Sequence, residues 1–362
     1  MSAKEIMAKV VRPEIQAMRA YSVPDATGMV KLDVMESPYR LPPELAAQVG
    51  EVVSKVAMNR YPVPSATALR ALIGEVMQVP AGCDVLLGNG SDECIQYITA
   101  ALARDGAVVM APEPSFAMFS MHALFYRLRF VGVPLRENFA LDTEAFVAAI
   151  AKEKPSLVWI ALPNNPTGNA FPAADIERIL RAAPGLVVID EAYQPFSGTT
   201  FMPRLAEFEN MVVMRTVSKI GMAGLRLGYV CGRPEWIDAF NKTRSPFNVN
   251  VLTEAVATKL LQNKKVLDAQ AAKVLEERDR MRPELECLPG LLVYPSATNF
   301  LLVRVAGAKG AGTRVFERLK AQGVLVKDSS GAHPLMENCL RLTVGTPEEN
   351  RILAAALREA LK

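Results

Sequence analysis

The sequence predicts an α/β protein with a large doubly wound, mostly parallel seven-stranded sheet and a smaller α+β domain after it. Two observations lead to this prediction. Short apolar runs recur along the chain, and several are hydrophobic on both faces, as strands covered by helices on both sides must be. Helical periods lie between several of these runs, and such alternation indicates a doubly wound sheet.

The strand-like and helical segments can be placed by number. The runs of strand character are 85–88, 108–111, 130–135, 157–162, 186–190, 211–216 and 227–232. The helical periods between them are 92–103, 142–154 and 173–183. The connection between the last two runs is too short for a crossover helix with its loops, so we expect the last strand to run antiparallel to its neighbour.

The composition changes after residue 248, which suggests a domain boundary. A long charged helical stretch, 252–281, leads to further strand-like runs and a last helix. Thr346, Pro347 and Glu349 form the capping box and first-turn proline of a helix start. We therefore expect an N-terminal arm over 1–40 that packs with the small domain, a large domain over 41–248 and a small domain over 249–362.

Composition and charge exclude several classes of protein. Half of the 362 residues are hydrophobic, which is enough for a large core. Lys and Arg total 41 against 38 Asp and Glu. This net charge of +3 is too small to suggest nucleic-acid binding. The apolar runs are too short to cross a bilayer, and the N-terminus is unlike a secretory signal. We expect a cytoplasmic protein.

The use of cysteine and histidine limits the chemistry. The five cysteines show no CxxC spacing, which favours reduced thiols over disulfides or zinc ligands. Only two histidines are present, and most metal sites and nucleophile–base pairs depend on histidine. We expect no metal. Enzyme chemistry would depend mainly on Lys, Arg, Asp and Tyr, or on a bound organic cofactor.

Four loops that follow or flank apolar runs contain the candidate functional residues, because ligands of open α/β sheets bind beyond the carboxyl ends of the strands. The first, GNGSDE at 88–93, precedes a helix. Its glycines would let the backbone approach a ligand, Ser91 or Asp92 would cap the helix, and free N–H groups would hold a phosphate. Taken alone, the loop is better explained as a tight turn with an ordinary cap.

The second and third loops are ambiguous when each is taken alone. In LPNNPTG, 162–168, an asparagine amide could direct a donor into the crevice, although a plain asparagine–proline turn explains the motif about as well. In VVIDEAYQPF, 187–196, Asp190 ends an apolar strand, where a carboxylate is costly unless it faces a cation or a donor. Tyr193 lies three residues on, and a structural ion pair is the alternative for Asp190.

The fourth loop, VSKIGMAGLR at 217–226, contains a lysine beside hydroxyl side chains. Arg226 with Thr216 and Ser218 could bind a dianion through several donors. An amine next to that site, with a pKa depressed by cationic neighbours and partial burial, is suited to form a Schiff base. A solvated surface Lys219 is the alternative, but four such loops rarely coincide by chance.

The motifs GSDE, NNPTG, DEAY and SK…GLRLGY, in this order and spacing, resemble the fold-type I aminotransferases that depend on pyridoxal 5'-phosphate (PLP) and share the aspartate aminotransferase fold. The resemblance covers nearly the whole chain. Within that superfamily, the segments KLDVMESPY, NRYPVP and ENCLRLTVGT are most similar to the histidinol-phosphate aminotransferases. The resemblance implies that the large domain binds PLP.

The resemblance also implies a role for each matching residue. Lys219, Asp190 and Tyr193 would be catalytic: Lys219 would bind PLP covalently, and Asp190 would keep the ring nitrogen protonated. Tyr193 and Asn165 would donate to the phenolic oxygen of the ring, and Phe116, where many relatives have tyrosine, would stack on it. The cofactor phosphate would be held by Gly90, Ser91, Asp92, Thr216, Ser218 and Arg226.

Further residues would bind substrate or complete the site from a second subunit. Tyr61 would reach the phosphate and the substrate from the partner, which implies a homodimer with shared active sites. Arg341 would bind the carboxylate of glutamate or 2-oxoglutarate, and Asn165, Tyr21 and Lys327 would also line the substrate site. Many relatives carry arginine where this chain has Lys327. Lysine keeps the charge but loses the fork geometry, so Lys327 is a weaker candidate for the substrate's phosphate.

The implied reaction is a ping-pong transamination between L-histidinol phosphate and 2-oxoglutarate, which gives imidazole acetol phosphate and L-glutamate in histidine biosynthesis. Lys219 would be the general base. A broad aromatic amino acid aminotransferase and a threonine-phosphate decarboxylase are alternatives on the same fold. A PLP-binding transcriptional regulator is disfavoured, because only about 40 residues precede the large domain and no basic helix-turn-helix pattern is present.

Overall fold

Strands and helices alternate over residues 1–20 and 24–362, which this computed structural model describes. The strands are β1 (Val30–Lys31), β2 (Asp84–Asn89), β3 (Val108–Glu113), β4 (Arg129–Pro134), β5 (Leu157–Ala161), β6 (Leu186–Asp190), β7 (Met211–Thr216), β8 (Leu227–Gly232), β9 (Leu291–Val293), β10 (Phe300–Val305), β11 (Val324–Leu325), β12 (Lys327–Asp328) and β13 (Cys339–Thr343).

The helices are numbered in the same way. They are α1 (Ala3–Val10), α2 (Pro13–Ala17), α3 (Pro43–Ser54), α4 (Thr67–Val76), α5 (Ser91–Leu102), α6 (Met118–Phe125), α7 (Thr143–Glu153), α8 (Ala173–Ala182), α9 (Pro234–Asn241), α10 (Val251–Gln262), α11 (Lys264–Glu286), α12 (Ala311–Ala321) and α13 (Pro347–Ala360). Among these described helices, none is long and apolar enough to cross a membrane.

Strands β2 to β8 form the central sheet, in the order β2-β8-β7-β6-β5-β3-β4. Strand β8 is antiparallel to both of its neighbours, and the other neighbouring pairs are parallel. The predicted seven-stranded, mostly parallel sheet is therefore confirmed, as is the antiparallel direction of 227–232. Strands β5, β6 and β7 are buried at every residue, which explains their uninterrupted apolar runs.

Alternate residues of the central strands enter two separate cores. Val158 and Ile160 of β5 pack in a cluster with residues of α4, α7, α8 and α10. Leu157 and Trp159 pack in another cluster with residues of α5, α6 and α9. Because successive side chains of a strand point to opposite faces, these two clusters lie on the two faces of the sheet. The sheet is doubly wound, as predicted.

A second, antiparallel sheet has the order β12-β13-β10-β9 and shares a core with α11, α12 and α13. The capping box of α13 is confirmed, because Thr346 and Glu349 exchange backbone–side-chain hydrogen bonds. The helical stretch 252–281 differs from the prediction, since it is interrupted at Asn263. This residue leaves the helical conformation, and its side chain donates to the Lys259 carbonyl at the end of α10.

The N-terminal arm contacts strands of the small domain and a helix that covers the large sheet. Strand β1 pairs in parallel with β11, and Leu32 forms backbone hydrogen bonds with β11 and β13. Nearer the N-terminus, the Arg12 guanidinium donates to the carbonyls of Leu124 and Phe125 at the end of α6. The arm therefore packs with the small sheet through its later residues and with a helix of the large sheet through Arg12. The three domain boundaries stay a prediction.

Candidate active site

The four predicted loops meet at one edge of the central sheet. They follow β2, β5, β6 and β7, and parallel strands bring their carboxyl ends to the same edge. A cavity of about 460 Å³ lies there. The predicted residues that line it are Ser91, Asp92, Phe116, Asn165, Asp190, Tyr193, Thr216, Ser218, Lys219 and Arg226.

Lys219 lies in a single helical turn just after β7, and Gly221 reverses the chain there with φ 95°. Its Nζ donates to the Val34 carbonyl at 3.3 Å and lies 5.7 Å from the centroid of the Tyr193 ring. Burial, followed by the charges of Arg341 and Arg226, lowers the pKa of Lys219 to about 8. An amine with such a pKa is partly neutral near pH 7, so it can act as a nucleophile.

Asp190 ends β6 at the wall of the same cavity, with an exposed fraction of 5%. One carboxyl oxygen accepts the N–H of Ala192 at 3.0 Å. Burial is the main cause that raises the pKa of Asp190 to about 7. The alternative for Asp190, a structural ion pair, is not found among the described residues; the neighbouring Glu191 instead pairs with Arg215 at 2.7 Å. Asp190 is therefore suited to a cationic N–H donor supplied by a ligand.

The N-terminus of α5 forms the anion-binding end of the cavity. The prediction that Ser91 or Asp92 caps this helix is wrong, because the N-cap is Gly90, which forms no side-chain cap. Gly90 has φ 81°, and a Cβ atom there would lie 2.5 Å from Nη2 of Arg226. Glycine thus lets the guanidinium approach the first turn, whose N–H groups stay available for an anion.

Hydroxyl groups and Arg226 complete this anion-binding end. The Thr216 hydroxyl donates to Ser218 Oγ at 2.9 Å, and both side chains line the cavity. Arg226 has φ 50°, and its Nη2 lies 3.3 Å from the carboxylate of Asp92. Backbone N–H groups, two hydroxyls and a guanidinium that face one space fit a phosphate dianion.

A second cavity, of about 1130 Å³, adjoins the first and shares Lys219, Asn165, Phe116 and Asp92 with it. Arg341 of β13 reaches this cavity from the small sheet. Its Nη1 donates to Asn165 Oδ1 at 2.7 Å, and its Nη2 donates to the Asp33 carbonyl at 2.9 Å. Lys327, at the start of β12, lines the same cavity.

Among the described residues, Gly90 and Tyr61 were predicted for the site but line neither cavity. Tyr61 has an exposed fraction of 80% and stacks on Phe247, with 4.6 Å between ring centroids. It lines neither cavity of its own chain. Tyr21 lies outside the described residues. The role given to Tyr61 requires a second subunit and stays a prediction.

The N-terminal arm contributes more to the site than sequence reasoning found. The carbonyls of Asp33 and Val34 accept hydrogen bonds from Arg341 and Lys219. Ile15 and Met18 form part of an apolar wall of the larger cavity. A backbone carbonyl that accepts a hydrogen bond cannot be recognised from the residue type. Only the resemblance of the segment KLDVMESPY to a family pattern pointed to Asp33 and Val34.

These residues fit PLP. The anion-binding end suits its phosphate, Asp190 suits its protonated ring nitrogen, and Phe116 at the wall suits its ring face. Lys219 lies where both cavities meet, so its amine can reach a bound aldehyde and a substrate in turn. Among the described residues, no group of three His, Cys, Asp or Glu side chains is placed to hold a metal ion.

The fold and this site define a PLP-dependent aminotransferase of the aspartate aminotransferase type. The aminotransferase class I and II family matches residues 27–357. More narrowly, the chain belongs to the histidinol-phosphate aminotransferase family, as comparison with known proteins shows. The predicted fold type, the aminotransferase activity and the PLP cofactor are therefore confirmed.

The similarity extends over whole chains. The sequence is 54% identical to histidinol-phosphate aminotransferase 1 of Ralstonia nicotianae, over 100% of this chain and 97% of that protein. It is also 54% identical to histidinol-phosphate aminotransferase 2 of Cupriavidus pinatubonensis, over 99% and 98%. A solved histidinol-phosphate aminotransferase of Sinorhizobium meliloti, in complex with PLP, matches with a TM-score of 0.87 at 26% identity, over 97% of both chains.

Proposed function

We propose that this chain catalyses transamination between L-histidinol phosphate and 2-oxoglutarate, with imidazole acetol phosphate and L-glutamate as products, in histidine biosynthesis. The observation that carries the reaction type is the position of Lys219, a buried amine with a lowered pKa where the two cavities meet. The choice of substrate is supported by 54% identity with proteins named for this activity.

Each side chain has a task in this reaction. Bound PLP supplies an aldehyde that accepts the substrate's nitrogen and a cationic ring that withdraws electrons from the substrate. Asp190 holds the proton on the ring nitrogen, and Tyr193 lies beside Lys219 at the cavity wall. Asn165 accepts from Arg341 with Oδ1, so its Nδ2 is the end that can donate to the ring's phenolic oxygen.

Lys219 moves the proton. Its lowered pKa would let the neutral amine take the proton from the substrate Cα as a general base, and the resulting ammonium would be the acid that gives the proton back. Arg341, fixed by Asn165 and the arm, binds the carboxylate of glutamate or 2-oxoglutarate. Lys327 faces the same cavity and contributes positive charge for the substrate's phosphate.

The proposal includes a homodimer with shared active sites. Tyr61 and Phe247 stack on the surface, and the large apolar side chains of Met58 and Val63 are exposed in the same segment as Tyr61. Exposed aromatic and apolar groups of this kind favour a protein interface. In such a dimer, Tyr61 would contribute to the partner's cavity. A cytoplasmic location stays an expectation.

A comparison of amine substrates tests the proposed function. With 2-oxoglutarate as acceptor, kcat/KM for histidinol phosphate should exceed that for phenylalanine and tyrosine by at least about 100-fold, because a site with cations for a phosphate discriminates against substrates without one. Similar values would instead support a broad aromatic aminotransferase, which the apolar wall formed by Ile15, Met18, Met118, Met121 and Phe125 favours. Release of carbon dioxide without consumption of 2-oxoglutarate would indicate a decarboxylase.

A further inference from the structure

The substrate would bind in the second, larger cavity, and a role can be considered for each cation that lines it. Those that line it are Arg19, Lys219, Lys327 and Arg341. Lys219 is needed for the cofactor and the proton. Arg341 is held by Asn165 and the Asp33 carbonyl, in the position suited to a carboxylate. Arg226, in the adjoining cavity, belongs to the cofactor's anion-binding end. Of these four described cations, Lys327 is already assigned to the substrate's phosphate, and Arg19 has no task yet.

Neither of these two side chains is engaged within the described part of the chain. The side chains of Arg19 and Lys327 form no hydrogen bond or ion pair with another described residue. Two carboxylates, Asp92 and Asp328, line the same cavity but are already bonded. Asp92 lies against Arg226, and Asp328 accepts from the Thr313 hydroxyl and the Ser330 N–H. The two cations are thus not neutralised by the acids of their own cavity.

The N-terminal arm places Arg19 at the cavity. Arg12 donates to two carbonyls at the end of α6, and this contact fixes the arm against the large sheet's helix. Helix α2 follows directly after Arg12, and the next residues bring Ile15, Met18 and then Arg19 to the cavity wall. The arginine is exposed at the rim, where a guanidinium can meet an incoming anion.

We propose that Arg19, together with Lys327, binds the phosphate of the phosphorylated amine substrate, which makes the N-terminal arm part of the specificity site. This inference rests on the proposed function and names a residue for it. Lys327 alone offers a point charge without paired donors, and a second cation with paired N–H donors would bind a phosphate dianion more strongly. Arg19 supplies the fork-shaped donor set. The apolar wall offers no comparable donors, so it suits the imidazole ring of the substrate rather than the phosphate.

Histidinol phosphate and histidinol differ only in the phosphate, and they form the matched pair that tests this inference. The PLP-loaded full chain is titrated with each amine in the absence of 2-oxoglutarate, with the cofactor spectrum as the readout. For Arg19→Ala, the apparent Kd of histidinol phosphate should rise about 10-fold or more, as expected for loss of a charge-assisted hydrogen bond. The Kd of histidinol should change less than about twofold. Arg19→Lys should lie between wild type and Arg19→Ala.

A charge-matched control separates a local contact from a general change of charge. Lys9→Ala removes one positive charge from the same arm, but Lys9 does not line the cavity, so both amines should bind as to wild type. Equal weakening of both amines by Arg19→Ala, or no weakening of either, would overturn the inference. If wild type itself bound histidinol and histidinol phosphate equally, the proposed function would fail. If wild type and Arg19→Ala discriminated equally well between them, only the role of Arg19 would fail.

Discussion

Arg341 and Asn165 are joined by a hydrogen bond of 2.7 Å between Nη1 and Oδ1, although 176 positions separate them in the sequence. Arg341 belongs to a strand of the small sheet, and Asn165 follows a strand of the large sheet. The contact therefore connects the two sheets at the cavity and fixes the direction of the guanidinium. A carboxylate that enters the cavity meets a donor that is already oriented.

We expect Arg341→Ala to weaken the acidic substrates selectively. Loss of a charge-assisted contact should raise KM for glutamate and 2-oxoglutarate by about 10- to 100-fold. Histidinol phosphate has no carboxylate, so its KM should rise much less. The two half-reactions, followed separately, provide the measurement. Arg351→Ala, at an exposed arginine of α13, is the control. Equal losses for both kinds of substrate would contradict the assignment of Arg341.

Asp190→Asn should stabilise the cofactor-free protein and weaken its binding of PLP. Burial raises the pKa of Asp190 to about 7, so the folded chain retains a proton there that the unfolded chain loses near pH 4. Its contribution to stability is fully present below about pH 4 and is lost as the pH rises to about 7. The asparagine side chain does not ionise, so the Asp190→Asn variant does not lose stability in this way as the pH rises.

Thermal unfolding of the cofactor-free protein measures this effect. At pH 8, Asp190→Asn should raise the free energy of unfolding by on the order of 2 kcal/mol, and the difference should shrink towards pH 4. PLP affinity should fall by at least about 10-fold, because the cationic ring loses its charged partner. A variant that is less stable at pH 8, or that binds PLP normally, would exclude this role for Asp190.

Gly90→Ala should impair cofactor binding more than folding. The new Cβ would lie 2.5 Å from Nη2 of Arg226 at a position with φ 81°, so the guanidinium would have to move away from the helix N-terminus. Gly82→Ala is a matched control, because φ is 83° there and nothing lies within 4 Å of the added Cβ. We expect an increase in the Kd of PLP of about 10-fold or more for Gly90→Ala, and little change for Gly82→Ala. Similar PLP affinities for the two variants would argue against a close contact between Gly90 and Arg226.

Mixed dimers test whether Tyr61 acts in the partner's site. Lys219→Ala and Tyr61→Ala should each be strongly impaired as separate proteins. When the two are unfolded together and refolded, one site of each mixed dimer would contain both native side chains, so activity should recover to about a quarter of wild type. Lack of recovery in a preparation shown to contain mixed dimers would mean that Tyr61 does not act across the interface.

The large sheet could be predicted from the sequence because its signals are local. Strands such as Leu157–Ala161 are buried on both faces and read as continuous apolar runs, and the short link to Leu227–Gly232 left no room for a parallel connection. The pairing of Val30–Lys31 with Val324–Leu325 could not be found in this way, since it joins distant segments of two residues each.

Site residues could be predicted from the sequence where they lie at or just after the end of a strand, because the strand fixes their position. Lys219 and Asp190 both follow the carboxyl ends of parallel strands, and they line one cavity as expected. The N-cap of α5 could not be predicted from the local sequence. Glycine is needed at position 90 because the side chain of Arg226, distant in the sequence, packs against it. The same is true of Arg19, whose position at the cavity depends on the contact of Arg12 with α6.

Borohydride reduction of the PLP-loaded protein, followed by proteolysis and mass mapping, tests the central claim most directly. The reduced cofactor should be found on the peptide that contains Lys219, and it should be absent from Lys219→Ala, which should also show no transamination. A protein that binds no PLP, or one in which the reduced cofactor is attached to a different lysine, would contradict the account.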